Sequence, residues 1–261
     1  MALASLAGQD GRATHEVVVV DDGSSDATPA VAADAGARVV THAASLGLNA
    51  ARNAGARAAL APLVAYVDDD VRVPPTWAGA MVEGAARHPE AEAFGGPIRA
   101  ALEGPAPRSC GRESAPVTTL DLGTHDREAD LVWGANLAVR AGAFERVGGF
   151  PEELSGGGDE EVWLRRLQAA GGRIVYLAAA GLDHRREGED ARLRSLMRSA
   201  YHRGRQLRAH DRRRRTAPGV GRELRVLAGC GWHTVRRACP QGLISGAHST
   251  GRLVEALGER R

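Results

Sequence analysis

The chain contains no lysine: all 34 of its basic residues are arginine. An all-arginine basic set reflects a GC-rich coding bias, so arginine alone does not signal phosphate chemistry. Aromatic residues make up only 4%, so the core has to be built mainly from Ala, Val and Leu. The three cysteines, Cys110, Cys230 and Cys239, are odd in number and carry no metal-ligand spacing. That argues against a disulfide scaffold or a zinc site, and a reducing cytoplasmic setting is expected. No apolar run reaches the roughly 18 residues needed to span a bilayer. No charged-then-apolar leader opens the sequence.

What is present suits a globular protein. The 261 residues allow one large domain, or one domain and an appendage. At 43% hydrophobic and 25% charged residues, the composition excludes wholesale disorder. The net charge of +2 hides a division. Residues 1–184 carry 15 Arg against 25 acids, a net of −10, and residues 185–261 carry 19 Arg against 7 acids, a net of +12. Such asymmetry suggests two parts with different tasks. An acidic part needs a metal or a basic partner to hold an anionic ligand. A basic part, with Arg212 to Arg215 in a row, suits an anionic membrane or polyanion, although a solvated helical face is the plainer reading.

The pattern along the chain alternates strands and helices. Val17 to Val20 reads as a buried parallel strand ending in Asp21-Asp22-Gly23. A helix to about Ala35, a strand over Arg38 to Thr41 and a helix over Leu46 to Leu60 follow. A third strand, Leu63 to Val67, ends in Asp68-Asp69-Asp70, and Pro74-Pro75 opens a helix to about Arg87. Glu103 to Asp130 reads as one long loop. Then come a strand over Asn136 to Arg140, a helix over Ala141 to Val147, a glycine loop over Ser155 to Gly158, a helix from Asp159 to about Ala170, and a strand over Arg173 to Leu177. Beyond His184 the pattern is arginine-rich helix: Ala191 to His210, Gly221 to Cys239, and a short tail helix. The expected fold class is therefore α/β, a mostly parallel sheet flanked by helices, with a basic helical C-terminal appendage.

Three acidic clusters stand out. Asp21-Asp22 and Asp68-Asp69-Asp70 fall at carboxyl ends of strands, where open α/β sheets bind ligands. Adjacent carboxylates repel, and a divalent cation such as Mn²⁺ or Mg²⁺ offsets that repulsion. Asp159-Glu160-Glu161 follows three glycines, which suits a closing loop that presents a general base. Taken singly, each cluster also fits a solvated turn or a helix start with dipole-compatible acids.

Taken in order, these segments resemble the inverting family 2 glycosyltransferases of the GT-A fold. The run Val17 to Asp26 is similar to the family's nucleotide-binding strand and turn, and Leu46 to Gly55 to the helix that follows. Val67-Asp68-Asp69-Asp70 is similar to the DxD metal motif. Trp133 to Arg140 with Val147-Gly148-Gly149-Phe150 is similar to the acceptor-side segment. Gly158 to Leu167 is similar to the catalytic acidic helix, and Ala170 to Tyr176 followed by His184 completes the series. Each motif alone is weak; six in order over about residues 1–184 are specific.

The resemblance implies a Rossmann-like GT-A domain over 1–186, its nucleotide-sugar half at about 1–100 and its acceptor half at about 101–186, before the basic region 187–261. It implies a UDP-, GDP- or dTDP-sugar donor, a hydroxyl acceptor and a Mn²⁺ or Mg²⁺ cofactor. Asp22 would bond the nucleobase edge, Arg52 would sit near base or diphosphate, Asp68 or Asp69 would touch the ribose, and Asp70 would hold the metal. His184 would complete the metal or diphosphate site, although a lone histidine is more often structural. The pair here reads Asp-Glu where the family usually has Glu-Asp; aligned on Arg166-Leu167, the base would be Glu160, with Asp159 as second choice.

Family members also open with an apolar strand ahead of the helix at Met1 to Leu6. The expectation is a start codon placed too far downstream, or a truncated gene. The competing function is a truncated, non-catalytic nucleotide-sugar-binding homologue. For the basic tail, peripheral contact with the inner membrane face or a lipid-linked acceptor is expected. Nucleic acid is disfavoured because the tail lacks regular aromatic interleaving for base stacking.

Overall fold

Alternate residues of three short strands bury on opposite faces of one sheet. Phe94, Ala138 and Val175 enter one core with Val71, Trp77, Met81, Ile98 and Leu177. Their neighbours Ala93, Leu137, Val139, Ile174 and Tyr176 enter the other with Phe150, Trp163, Leu164 and Leu167. Side chains alternate across a strand, so a strand covered on both faces reads as an unbroken apolar run. That is why Leu137, Ala138 and Val139 run apolar without alternation.

The computed structural model describes residues 2–108, 110, 117–153, 159–213 and 215–258, the side chains of Asp159 and Arg213 excepted. Its elements are α1 (Ala2–Ala7), β1 (Val18–Asp21), α2 (Thr28–Asp34), β2 (Arg38–Thr41), α3 (Leu48–Ala58), β3 (Leu63–Val67), β4 (Val71–Arg72), α4 (Trp77–Arg87), β5 (Ala93–Gly95) and β6 (Ile98–Leu102). There follow β7 (Arg127–Glu128), β8 (Asn136–Arg140), α5 (Ala141–Val147), α6 (Asp159–Ala169), β9 (Ile174–Tyr176), β10 (Leu182–Arg186), α7 (Leu193–Arg213), α8 (Val220–Arg237) and α9 (Gln241–Gly258).

The strands form a parallel β1-β2 pair, a β4-β10-β6 sheet and a five-stranded β3-β8-β5-β9-β7 sheet. The α/β class holds, with less parallel pairing than the sequence led one to expect. β8 inserts antiparallel between β3 and β5, and β7 pairs antiparallel with β9, so only β5-β9 is parallel in the large sheet. The expected 103–130 loop also contributes structure: Leu120 bridges Ile98, and β7 lies within it. Pieces this short carry no readable period; backbone partners specify them. β1 is half-buried except at Asp21, rather than the buried strand its apolar run suggested. The tail helix α9 has 18 residues, longer than expected.

Two compact units divide the chain. One takes the described residues of 1–100, 118–155 and 159–184 and contains both sheet cores. The other takes those of 101–117 and 185–261. Within the second, Leu196 and Ala200 of α7 pack on Ile244 of α9. A buried charge network fixes the three helices: Arg252 bonds Glu223 at 2.6 Å and Asp211 at 2.8 Å. Arginines that sequence alone assigns to a solvated face thus include interior pieces. Glu103 ties the 101–110 segment into this unit, its N–H donating to the Arg186 carbonyl at 2.8 Å and its carboxylate pairing with Arg185.

Candidate active site

The turn after β1 is built around one carboxylate. Asp22 accepts from the backbone N–H groups of Leu46 (2.9 Å) and Gly47 (2.8 Å), from Ser45 Oγ (2.7 Å) and from His42 Nδ1 (2.6 Å). A carboxylate only accepts, so the His42 Nδ1 position carries the proton. The bond from His42, then those from Leu46, Ser45 and Gly47, hold the Asp22 carboxyl well below the usual carboxylate range. Gly23 follows at φ +79°, and a Cβ there would sit 2.8 Å from the Ala44 carbonyl carbon. Only glycine fits. Asp22 therefore fastens the β1 turn to the 42–47 loop.

At the end of β3 the acidic triplet splits. Asp69 is exposed, whereas Asp68 and Asp70 are half-buried. Antiparallel pairing of β4 with β10 sets His184 opposite Val71, beside the triplet. Ligand atoms of Asp68, Asp70 and His184 all lie within 4.8 Å of one another. His184 is buried. Its Nδ1 lies 3.2 Å from the Thr118 carbonyl oxygen, which can only accept, so the Nδ1 proton donates there. With that proton on Nδ1, Nε2 faces Asp70 Oδ1 at 3.1 Å. Two acceptors that close need a proton or a cation between them. An imidazole oriented by a backbone carbonyl and two carboxylates make a donor set that suits a divalent cation, with the nitrogen favouring Mn²⁺ over Mg²⁺.

Glu160, in the first turn of α6, is largely buried and lies 3.8 Å from Arg52 Nη1. Arg52 comes from α3, buried, with its guanidinium 5.5 Å from the Phe150 ring centroid. Gly134 makes room for it, since a Cβ there would collide with the guanidinium. The structure thus brings Arg52 to the acidic helix. The Asp159 side chain, like the glycine loop over 154–158, lies outside the described residues.

Sequence reasoning assigned no role to the residues that make this junction. Asn53 accepts from the Phe150 N–H at 2.8 Å and donates to the Phe150 carbonyl at 2.9 Å and to Glu152 at 2.8 Å. Asn49 donates to the Pro151 carbonyl at 2.7 Å. Trp163 of α6 donates to the Gly148 carbonyl at 2.7 Å and packs 5.3 Å from the Phe150 ring. Tyr66, two residues before Asp68, meets Phe150 edge-on at 5.5 Å, and its burial raises the phenol's pKa. One aromatic cluster thus joins Tyr66 of β3, Phe150 and Trp163 of α6. A signal existed: asparagines at i and i+4 in a helix are poor helix formers on one face.

Comparison with known proteins places the sequence in a family. The sequence profile described as Glycosyl transferase family 2 matches residues 2–148. A glucosyl-dolichyl phosphate glucuronosyltransferase of Haloferax volcanii is 27% identical over 184 residues, covering 65% of this chain and 59% of its own length. A pre-mycofactocin glycosyltransferase of Mycobacterium tuberculosis is 33% identical over 187 residues, covering 67% of this chain and 38% of its own. The chain thus spans only part of these relatives. In fold it resembles the mannosyltransferase PcManGT of Pyrobaculum calidifontis, solved with GDP-Man and Mn²⁺ (TM-score 0.60, 18% identity, 98% of this chain and 68% of that one). It also resembles S. aureus TarS 1–349, solved with UDP-GlcNAc (TM-score 0.53, 18% identity, 98% and 87%).

Proposed function

The chain belongs to glycosyl transferase family 2, and from that premise we propose that it moves a sugar, with inversion, from a nucleoside-diphosphate sugar to an acceptor hydroxyl. The observation that carries this is the meeting of Asp68, Asp70 and His184 at the end of β3. These three would hold Mn²⁺ or Mg²⁺. A cation there offsets the charge that grows on the departing diphosphate. Mn²⁺ accompanies GDP-Man in PcManGT, which supports the reading.

Each remaining side chain has a place. Glu160 takes the proton of the acceptor hydroxyl. The freed oxygen bonds the anomeric carbon as the bond to the diphosphate breaks on the opposite face. Arg52 acts as a positioning residue that fixes the Glu160 carboxylate. Asp159 is the second carboxylate of the pair. Asp69, exposed beside the cation set, takes the ribose contact, with Asp68 committed to the cation. Asp22 fastens the 42–47 loop and bonds the nucleobase edge. The donor is a UDP-, GDP- or dTDP-sugar. The exposed α8 face provides peripheral membrane contact.

Thermal unfolding with each nucleoside diphosphate, with and without Mn²⁺, tests the site. Ligand at about 100 times its dissociation constant adds roughly 2.7 kcal/mol, or about 5 to 10 °C at this size. A Mn²⁺-dependent rise with one nucleotide is expected; it disappears in Asp70→Asn and persists in Glu160→Gln. The Glu160→Gln change is expected to cut kcat by about 10² to 10⁴. A rise that Asp70→Asn leaves intact, or full turnover in Glu160→Gln, refutes the assignment.

A further inference from the structure

The second unit gathers soft donors that the sequence keeps far apart. Cys110, His233 and Cys239 bring one ligand atom each to within 4.8 Å of the others. Cys110 Sγ lies 3.3 Å from His233 Nε2. Zinc bound tetrahedrally at about 2.3 Å from sulfur and 2.0 to 2.1 Å from nitrogen spaces its ligands by roughly 3.6 Å. The cluster is therefore close to a ligating geometry.

Local structure explains how the three meet. α8 ends at Ala238, which takes the left-handed conformation at φ 46°. The chain turns back there, and the Cys239 N–H donates to the Thr234 carbonyl at 3.3 Å. That places Cys239, buried, beside the last turn that carries His233. Cys110 arrives 123 residues away in sequence from His233. Its segment, Ala101 to Cys110, holds three prolines and glycines among its last seven residues and little apolar bulk. Such a segment gains little from hydrophobic burial, so a metal tie is an effective anchor.

We propose that Cys110, His233 and Cys239 form a zinc site that fastens the 101–110 segment to the α8–α9 turn. Two thiolates and an imidazole select Zn²⁺ over Mg²⁺ or Mn²⁺. Each thiol releases its proton on binding. Water fills the fourth position. Cysteine spacing along the chain argues against zinc, but a local spacing rule cannot see ligands that only the tertiary fold assembles. The proposal does not rest on the proposed reaction.

The full chain, loaded with ZnCl₂ under reducing conditions and passed over a chelating resin, is assayed by elemental mass spectrometry. About one zinc per chain is expected. Cys110→Ser, His233→Asn and Cys239→Ser are each expected to lose it by about tenfold or more, with circular dichroism reporting their folding. Asp70→Asn and Cys230→Ala are expected to keep it. Co²⁺ loading should add a thiolate-to-metal charge-transfer band that Cys110→Ser abolishes. If Cys239→Ser fails to fold, exposed Cys110 still carries the test. Wild-type protein that retains no zinc overturns the proposal. Zinc that survives the Cys110 and His233 substitutions, or a Cys110–Cys239 disulfide in protein kept under reductant, overturns it as well.

Discussion

A carboxylate that accepts from four donors is held ionised, and Asp22 is such a group. Its folded pKa lies below the value of about 3.9 of an unfolded chain. The sign follows: a depressed pKa gives stability that is complete above the unfolded value and is lost as pH falls below it. Asp22→Asn keeps the shape but offers an NH₂ group to the donors of Leu46 and Gly47. Loss of a charge-assisted bond costs about 1.5 kcal/mol or more, so the Tm at pH 7 is expected to fall by about 3 to 6 °C. The gap between wild type and variant should be constant above about pH 5 and narrow below about pH 4. Thermal scans from pH 3 to 7 check this; a gap that stays the same at pH 3 would show that the charge is not what matters.

At the level of elements, α3 holds the Gly148–Pro151 turn, and the turn holds α6. Asn53 supplies both the acceptor and the donor for Phe150. Asn53→Ala leaves a buried N–H and carbonyl without partners, at about 3 kcal/mol. It also frees the platform under Glu160, and a shift of about 1 Å can cost roughly a hundredfold in rate. The expected result is a kcat about a hundredfold lower, with the Mn²⁺–nucleotide thermal shift retained, because Asp68, Asp70 and His184 lie outside this contact. Equal losses in nucleotide binding and kcat would place Asn53 in the donor site. These elements also mark what the sequence makes legible. Helices α3, α5 and α6 and the strands Arg38–Thr41, Leu63–Val67 and Asn136–Arg140 carry their own apolar runs and boundaries, so they read directly. So do the acids at the end of β3. β7 and β10 do not, since two to five residues set by cross-strand partners leave no pattern. The partner of Arg52 was hidden for a related reason: a salt bridge between α3 and α6 depends on the packing of Phe150 and Trp163.

On the scale of the molecule, charge and apolar surface coincide on α8. Leu224, Ala228, Trp232 and Val235 recur at helical spacing, and Trp232 and Val235 are 68% and 81% exposed. Arg225, Arg236 and Arg237 are exposed around them, within a region of net +12. No described helix is long and apolar enough to cross a membrane. An indole beside guanidinium groups suits the headgroup layer, where the ring inserts and the charges meet anionic lipid. Each basic residue near an anionic surface contributes about 1 kcal/mol, and screening weakens this as salt rises. Co-sedimentation with vesicles of phosphatidylcholine alone, or with about a third phosphatidylglycerol, should show binding only to the anionic set. Raising salt from 0.1 M to 0.5 M should weaken it, since screening shortens the reach of each charge. Trp232→Ala should weaken binding by about tenfold, equivalent to about 1.4 kcal/mol, without lowering Tm, because the side chain is exposed. Binding equal on both vesicle types would leave the charge without a membrane role. Binding unchanged in Trp232→Ala would assign the attraction to the arginines alone and remove the apolar face from the argument.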